Sequence, residues 1–394
     1  GDFFVHFMNI AGHELEKSTS LITRRKLESL LELAVRTSGA NHDPYKDDIS
    51  CFLQRYTLRQ KLDAIHSSAA ATTAVTTSAA AGAAGDKKKI IKEGEDSKLT
   101  RKKKLKRKTK ANKASLTNVP PPVSANALKG LDAFTLTYKV RWPLSLIISM
   151  RSLTKYQLIF RHLFYCKHVE AQLHKAWLNQ QAMKELNVQG SFHRAHVLRQ
   201  RMLHFMQNLV YYMMVEVLEP SWHTMVAKLH EAKSVDQVLK VHDSFLDKCL
   251  TQCLLNNQRL FKALNKLMAT CLLFVEHIKS SADHIRSNLR KYVPSHSRKD
   301  RKHVYDRVTK IETESKYARD FVERGSYAKI IEGFEARFNA SVGEFVKDLR
   351  GESNMHYDHH LTNLSTRLDY NGYYSKRFPE ALDDAYTAVP AGKK

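Results

Sequence analysis

The chain has 394 residues and a formal net charge of +24, with 43% apolar side chains, 14 glycines and five cysteines. That length can bury a large core, and no apolar run approaches the ~20 residues that a bilayer-spanning helix needs. The few glycines include no phosphate-binding loop or nucleophile elbow, so composition and motifs exclude the common nucleotide-dependent and hydrolytic enzyme classes.

In chain order, Phe3, Phe7, Ala11 and Leu15 form the stripe of a first helix, and Leu27, Leu30, Leu31, Ala34 and Val35 that of a second, stopped near Gly39. Asp43-Pro44 marks a loop, and a further helix is predicted from Phe52 to Ile65. Residues 67–85 are almost entirely Ser, Ala, Thr and Gly. Residues 86–113 follow with fourteen Lys or Arg against four Asp or Glu, and then Pro120-Pro121-Pro122. Too few large apolar groups are present to offset the entropy of ordering such a stretch, so 67–126 is predicted to be a disordered insertion inside one domain. Its run Arg101, Lys102, Lys103, Lys104, Lys106, Arg107 and Lys108 suits an acidic surface or nucleic acid. It has no interleaved aromatics to stack on bases.

From Phe134 to Trp142 apolar and polar residues alternate with a period of two, a strand that Pro143 should end. Thr154 and Gln157 have capping-box spacing. Leu153, Tyr156, Phe160, Leu163, Cys166, Val169, Leu173 and Trp177 then form one helical stripe, with Arg161, Lys167, His168 and Lys175 off it. Over 194–219, Met202, Met206, Leu209, Met213 and Val217 lie beside a second stripe of Leu198, Phe205 and Tyr212. A helix so widely apolar belongs in the core, and Glu219-Pro220 is predicted to end it. Ser234 and Gln237 open another helix through Phe245, Cys249 and Cys253, followed by one from Leu260 to Ile278. Residues 290–326 are charged and weakly periodic. Ile331 to Leu349 and Leu361 to Leu368 resume the helical pattern, Asn371-Gly372 is the expected stop, and the tail from 380 should be frayed.

Five sparse cysteines fit reduced core thiols better than a disulfide framework, and the Cys249/Cys253 pair lacks a histidine pair to complete a metal site. His356, Asp358, His359 and His360 are the densest cluster of candidate ligands, read as a polar helix start. The chain opens GDFFVHF without an initiator Met, which suggests the C-terminal part of a longer, intracellular protein.

Several segments resemble one family. The opening GDFFVHF, LLELAVRTSGANHDPYKDD (30–48), KVRWPLSLII through FRHLFYCKHVEAQL (139–173), RQRMLHFMQNLVYYMMVEVLEPSW (199–222) and RLDYNGYY (367–374) look like the C-terminal module of the gamma-tubulin complex components, the Spc97/Spc98 family. They resemble most the branch that pairs with component 3. Together they cover about half the chain in the right order; 67–126 and 285–330 match poorly.

The resemblance implies an all-α fold, an elongated multi-helix bundle with a short β element near 134–142. In this division 1–66 and 127–379 belong to one module around the insertion, and 380–394 is a tail. It implies a scaffold that holds gamma-tubulin without enzymatic activity or cofactor, in a ring that templates microtubule nucleation at a centrosome or spindle pole body. Component 3 and the other ring subunits would be reached through an N-terminal half not contained here, and the basic insertion would weakly touch acidic tubulin surfaces. No membrane partner is expected. The residues assigned to the gamma-tubulin contact from the matching motifs are Arg141, Trp142, Arg161, His168, Arg199, Arg201, Arg367, Asp369, Tyr370, Asn371, Tyr373 and Tyr374. The competing expectation, from charge alone, is a basic helical nucleic-acid-binding protein, against which stands the lack of any recognised module. An unrelated helical adaptor is a third.

Overall fold

A computed structural model describes residues 3–67, 128–182, 189–292, 326–356 and 359–377. Helices dominate these residues, with one two-stranded sheet. The helices are α1 (Phe3–Leu15), α2 (Arg24–Thr37), α3 (residues 58–67), α4 (Gly130–Ala133), α5 (Met150–Ala182), α6 (Gln189–Tyr211), α7 (Glu219–Glu231), α8 (Val235–Gln252), α9 (Gln258–Tyr292), α10 (Ser326–His356), α11 (His359–Leu368) and α12 (Tyr373–Arg377). The strands are β1 (Ile49–Leu53) and β2 (Phe134–Tyr138). The chain divides into two compact units, one of 1–165 with 221–258, the other of 166–220 with 259–394.

In the first unit, the predicted stripes of α1 and α2 are buried: Phe7, Ala11, Leu15, Leu27, Leu31 and Ala34 line one core. Phenylalanines knit it together. Phe7 stacks on Phe134 at 5.0 Å between centroids, Phe134 meets Phe164 at 5.2 Å, and Phe160 stacks on Phe164 at 5.4 Å. Each such pair adds about 0.5–1.5 kcal/mol beyond its buried area.

Three local expectations are corrected here. The helix predicted from Phe52 starts only at residue 58, because 49–53 form β1, antiparallel to β2 with Phe52 opposite Thr135. Thr57 and Gln60 make the real capping box: Thr57 Oγ1 accepts the Gln60 amide at 3.2 Å and Gln60 Oε1 accepts the Thr57 amide at 2.9 Å. The strand predicted to run to Trp142 ends at Tyr138 and is followed by a turn with a cis Trp142-Pro143 bond. The cap of α5 is not Thr154, whose hydroxyl donates to the Met150 carbonyl inside the helix at 2.8 Å. Ser149 holds that place, its Oγ accepting the Ser152 amide at 3.3 Å.

At α8 the sequence pattern is borne out. Ser234 Oγ accepts the Gln237 amide at 3.3 Å, and Gln237 Oε1 reaches back to the Lys233 amide at 2.8 Å.

In the second unit, both stripes of α6 are buried, and Phe205 packs edge-on to Phe345 at 6.0 Å. Pro220 does not end this helix, as the pattern had suggested. Residues Tyr212–Leu218 widen into a π-helical turn, the Glu219 amide bonds the Met214 carbonyl, and α7 continues to Glu231. The widened register puts Pro220 in the first turn of α7, where a missing N–H is tolerated. Asn371 (φ 59°) and Gly372 (φ 66°) are left-handed and make the expected stop after α11.

All five cysteines are buried thiols, and burial pushes Cys166 and Cys271 up to about 12. Among the described residues no helix is long and apolar enough to cross a membrane. Most of 290–326, nearly all of the 67–126 insertion and the tail from 380 lie outside the described residues.

Candidate functional site

The RLDYNGYY motif falls where α11, the left-handed turn and α12 meet, all in the second unit. Asp369 organises it. Its buried carboxylate pairs with Arg350 of α10 at 2.9 Å. Oδ1 accepts the amides of Tyr374 at 2.7 Å and Ser375 at 3.4 Å, and Oδ2 accepts the Ser375 hydroxyl. A carboxylate at the start of a helix both caps it and complements its dipole.

Arg201 of α6 lies against the same turn. Its guanidinium sits 4.9 Å from the Tyr373 ring and 5.5 Å from the Tyr374 ring, and those two rings meet edge to face at 5.1 Å. From α10, Glu335 pairs with Arg201 at 3.2 Å and Asn339 accepts a second guanidinium hydrogen bond. Arg194, seven residues earlier on α6, reaches Glu335 at 2.7 Å and Glu332 at 3.3 Å. Arg367 forms a parallel contact: it pairs with Glu216 of the π turn and lies 4.6 Å from the Tyr211 ring.

The two tyrosines differ. Tyr374 is 8% exposed, and burial is the main cause that raises its phenol pKa. Tyr373 is 39% exposed, and Tyr370, Tyr211, Met214 and Val215 are also open to solvent. The arrangement is an arginine-aromatic surface with rigid backing. It offers ring faces, an amphipathic rim and no nucleophile-base pair. Among the described residues no group of three or more His, Cys, Asp or Glu side chains could hold a metal.

The structure thus brings together Arg201, Arg367, Asp369, Tyr370, Asn371, Tyr373 and Tyr374. It does not bring the other expected residues to that surface. Arg199 is buried in α6, its Nη2 donating to Gln200 at 3.2 Å, with burial lowering its pKa. His168 is buried in α5. Arg161 lies inside the first unit, donating to the carbonyls of Tyr56 at 2.8 Å and Asp132 at 2.5 Å. Burial brings its pKa down to about 10. These three were expected to face a partner because they lie off the apolar stripe, yet their positions are interior, and they support the fold. Arg141 and Trp142 are exposed in the first unit, with Arg141 paired to Asp48 at 3.0 Å. The run Arg101–Lys108 lies outside the described residues.

Sequence reasoning missed Glu335, Asn339, Glu216, Tyr211 and Arg350. One signal was available: Arg194 and Arg201, seven apart on α6, match Glu332, Glu335 and Asn339 at helical spacing on α10.

Comparison with known proteins addresses identity. The family described as gamma tubulin complex component C-terminal matches residues 1–374. Mouse gamma-tubulin complex component 2 is 35% identical over 390 residues, covering 96% of this chain and 38% of that protein. Its Arabidopsis thaliana counterpart is 39% identical over 273 residues, covering 69% and 33%. The spindle pole body component alp4 of Schizosaccharomyces pombe is 30% identical over 285 residues, covering 70% and 35%. The chain therefore spans less than half the length of these relatives, and matches them across most of its own. With its helical fold and the family match running from the first residue through the RLDYNGYY turn, the chain belongs to the gamma-tubulin complex component family.

Proposed function

We propose that this chain is the gamma-tubulin-binding portion of a scaffold subunit in a complex that templates microtubule nucleation. The observation that carries it is the family match over residues 1–374. The arginine-aromatic surface of Tyr211, Arg201, Arg367, Tyr370 and Tyr373 forms part of the gamma-tubulin contact. Arginine and tyrosine on a rigid backing are the residue types that dominate binding energy at protein interfaces. The chain acts by pre-organisation rather than chemistry: gamma-tubulins held side by side present a ready nucleus and avoid part of the entropy of assembling one. It is not an enzyme and needs no cofactor. Component 3 and other ring subunits are its companions, joined through parts of the longer protein outside this stretch. It works at a microtubule organising centre in the cytoplasm.

The test is co-elution of the purified chain with gamma-tubulin in size-exclusion chromatography, with an oligonucleotide run in parallel. Tyr373→Ala is expected to weaken gamma-tubulin binding about tenfold or more and leave the thermal melt unchanged. Tyr374→Ala is expected to lower the melt, because that ring is buried. Folded chain that binds oligonucleotide and not gamma-tubulin would refute the proposal.

A further inference from the structure

Residues 139–151, KVRWPLSLIISMR, contain Lys139, Arg141 and Arg151 and no carboxylate. Four large apolar side chains point to solvent within nine residues of this turn: Trp142 is 80% exposed, Leu144 52%, Leu146 60% and Met150 79%. Exposed apolar residues scattered singly need no explanation, but a concentration rimmed by charge marks an interaction site. The three cations are exposed too.

The turn is not a frayed loop. The amide of Ser145 bonds the Arg141 carbonyl at 3.2 Å, Leu146 bonds Pro143 at 3.1 Å, and Ile147 and Ile148 bond Leu144 at 3.0 and 2.9 Å. Upstream, the Lys139 amide bonds the Asp48 carbonyl at 2.8 Å while Arg141 pairs with the Asp48 carboxylate at 3.0 Å. Downstream, Ser149 caps α5. The backbone is therefore ordered while its apolar side chains remain in water, which lowers the entropic cost of docking.

We propose that residues 139–151 form a second docking surface, one that inserts Trp142, Leu144, Leu146 and Met150 into an apolar socket bordered by carboxylates on a folded protein. This rests on the reading above, under which that protein is gamma-tubulin. Charge complementarity selects the occupant. A second copy of the chain would set Lys139, Arg141 and Arg151 against their own images in a two-fold contact, so like charges would oppose it. A single-stranded nucleic acid would satisfy the cations, but bases stack on rings, and three of the four apolar side chains are aliphatic. A protein surface with carboxylates around an apolar centre satisfies both features.

The experiment measures the affinity of the folded chain for purified gamma-tubulin by biolayer interferometry at two salt concentrations. Trp142→Ala combined with Leu146→Ser is expected to weaken binding about tenfold or more, with an unchanged melt because both side chains are already exposed. Arg151→Glu is expected to slow association, most at low salt. Wild-type binding with unaltered affinity in the double variant overturns this inference and leaves the reading beneath it standing. Failure of the wild-type chain to bind gamma-tubulin overturns both. Unaltered gamma-tubulin affinity combined with Trp142-dependent binding to phosphatidylserine vesicles or an oligonucleotide, or with Trp142-dependent self-association, overturns it in favour of that occupant.

Discussion

Asp369→Ala should be the most damaging single change at the RLDYNGYY turn. The wild-type carboxylate is fully buried and satisfies four donors: Arg350, the amides of Tyr374 and Ser375, and the Ser375 hydroxyl. Truncation removes a helix-start acceptor, which costs about 1 kcal/mol in typical cases. It also strands the buried Tyr374 amide, for which about 1–3 kcal/mol is usual. Arg350 is 38% exposed on its side chain and can rehydrate, so the full penalty for breaking a buried pair does not apply. A loss of about 2–4 kcal/mol follows. Asp369→Asn keeps an acceptor for the two amides and should lose about half as much. Arg350→Met removes only the partly exposed partner, but leaves a buried carboxylate whose charge is then offset by amides alone; it should fall between the wild type and Asp369→Ala. Equilibrium denaturation in guanidinium, followed by far-ultraviolet circular dichroism, orders the three variants. A stability for Asp369→Ala within about 0.5 kcal/mol of wild type would refute the assignment of this carboxylate as the organiser of the turn.

Two further outcomes are expected. Burial holds the His162 imidazole down to about 4, so the folded state refuses a proton that the unfolded chain takes near 6.5. Stability is then greatest above pH 6.5 and declines towards pH 4, with about 2 kcal/mol lost between pH 7 and 5; His162→Leu should flatten that slope, and an unchanged slope would contradict the assignment. Glu14, held below its usual range chiefly by the Lys17 hydrogen bond and then by Lys26, has the opposite titration: its contribution is present above 4.5 and is lost only as pH falls through its folded value, so it lies outside that window. Finally, replacing residues 68–127 with about fifteen Gly and Ser residues shortens a loop whose flanks already meet in β1 and β2, and should raise stability by about 1 kcal/mol. Loss of folding on that replacement would mean that the insertion belongs to the core, and a salt-sensitive affinity for acidic surfaces should disappear with its +10 block.

What was legible in the sequence was what a few neighbouring residues decide. The double stripe of α6 declares its burial because Met202, Met206, Leu209, Met213 and Val217 face inward whatever they meet. The α8 cap is equally local, closing within five residues from Lys233 to Gln237. The failures needed a distant partner. Phe52 reads as helical beside Leu58, Leu62 and Ile65, and only pairing with Thr135, beyond the insertion, makes it strand. Pro220 reads as a terminus until the π turn before it shifts the hydrogen-bond register. The aromatic half of the candidate site is visible in RLDYNGYY, but its acidic half comes from α10 and the π turn, and no window contains both.

Arg161 shows why charge is the hardest feature to place. Off an apolar stripe, a guanidinium reads as solvated, because a sequence pattern records side chains and not carbonyls. Here its partners are the backbone oxygens of Tyr56 and Asp132, with the Tyr56 ring 5.6 Å away. Two charge-assisted hydrogen bonds offset part of the desolvation that brings its pKa to about 10, and they tie α5 to the segments on both sides of the insertion. A cation that seemed available to a partner is therefore committed to closing the fold around that insertion, and the search for partner contacts moves to side chains that remain in water: Tyr370 and Tyr373 in one unit, Trp142 and Met150 in the other.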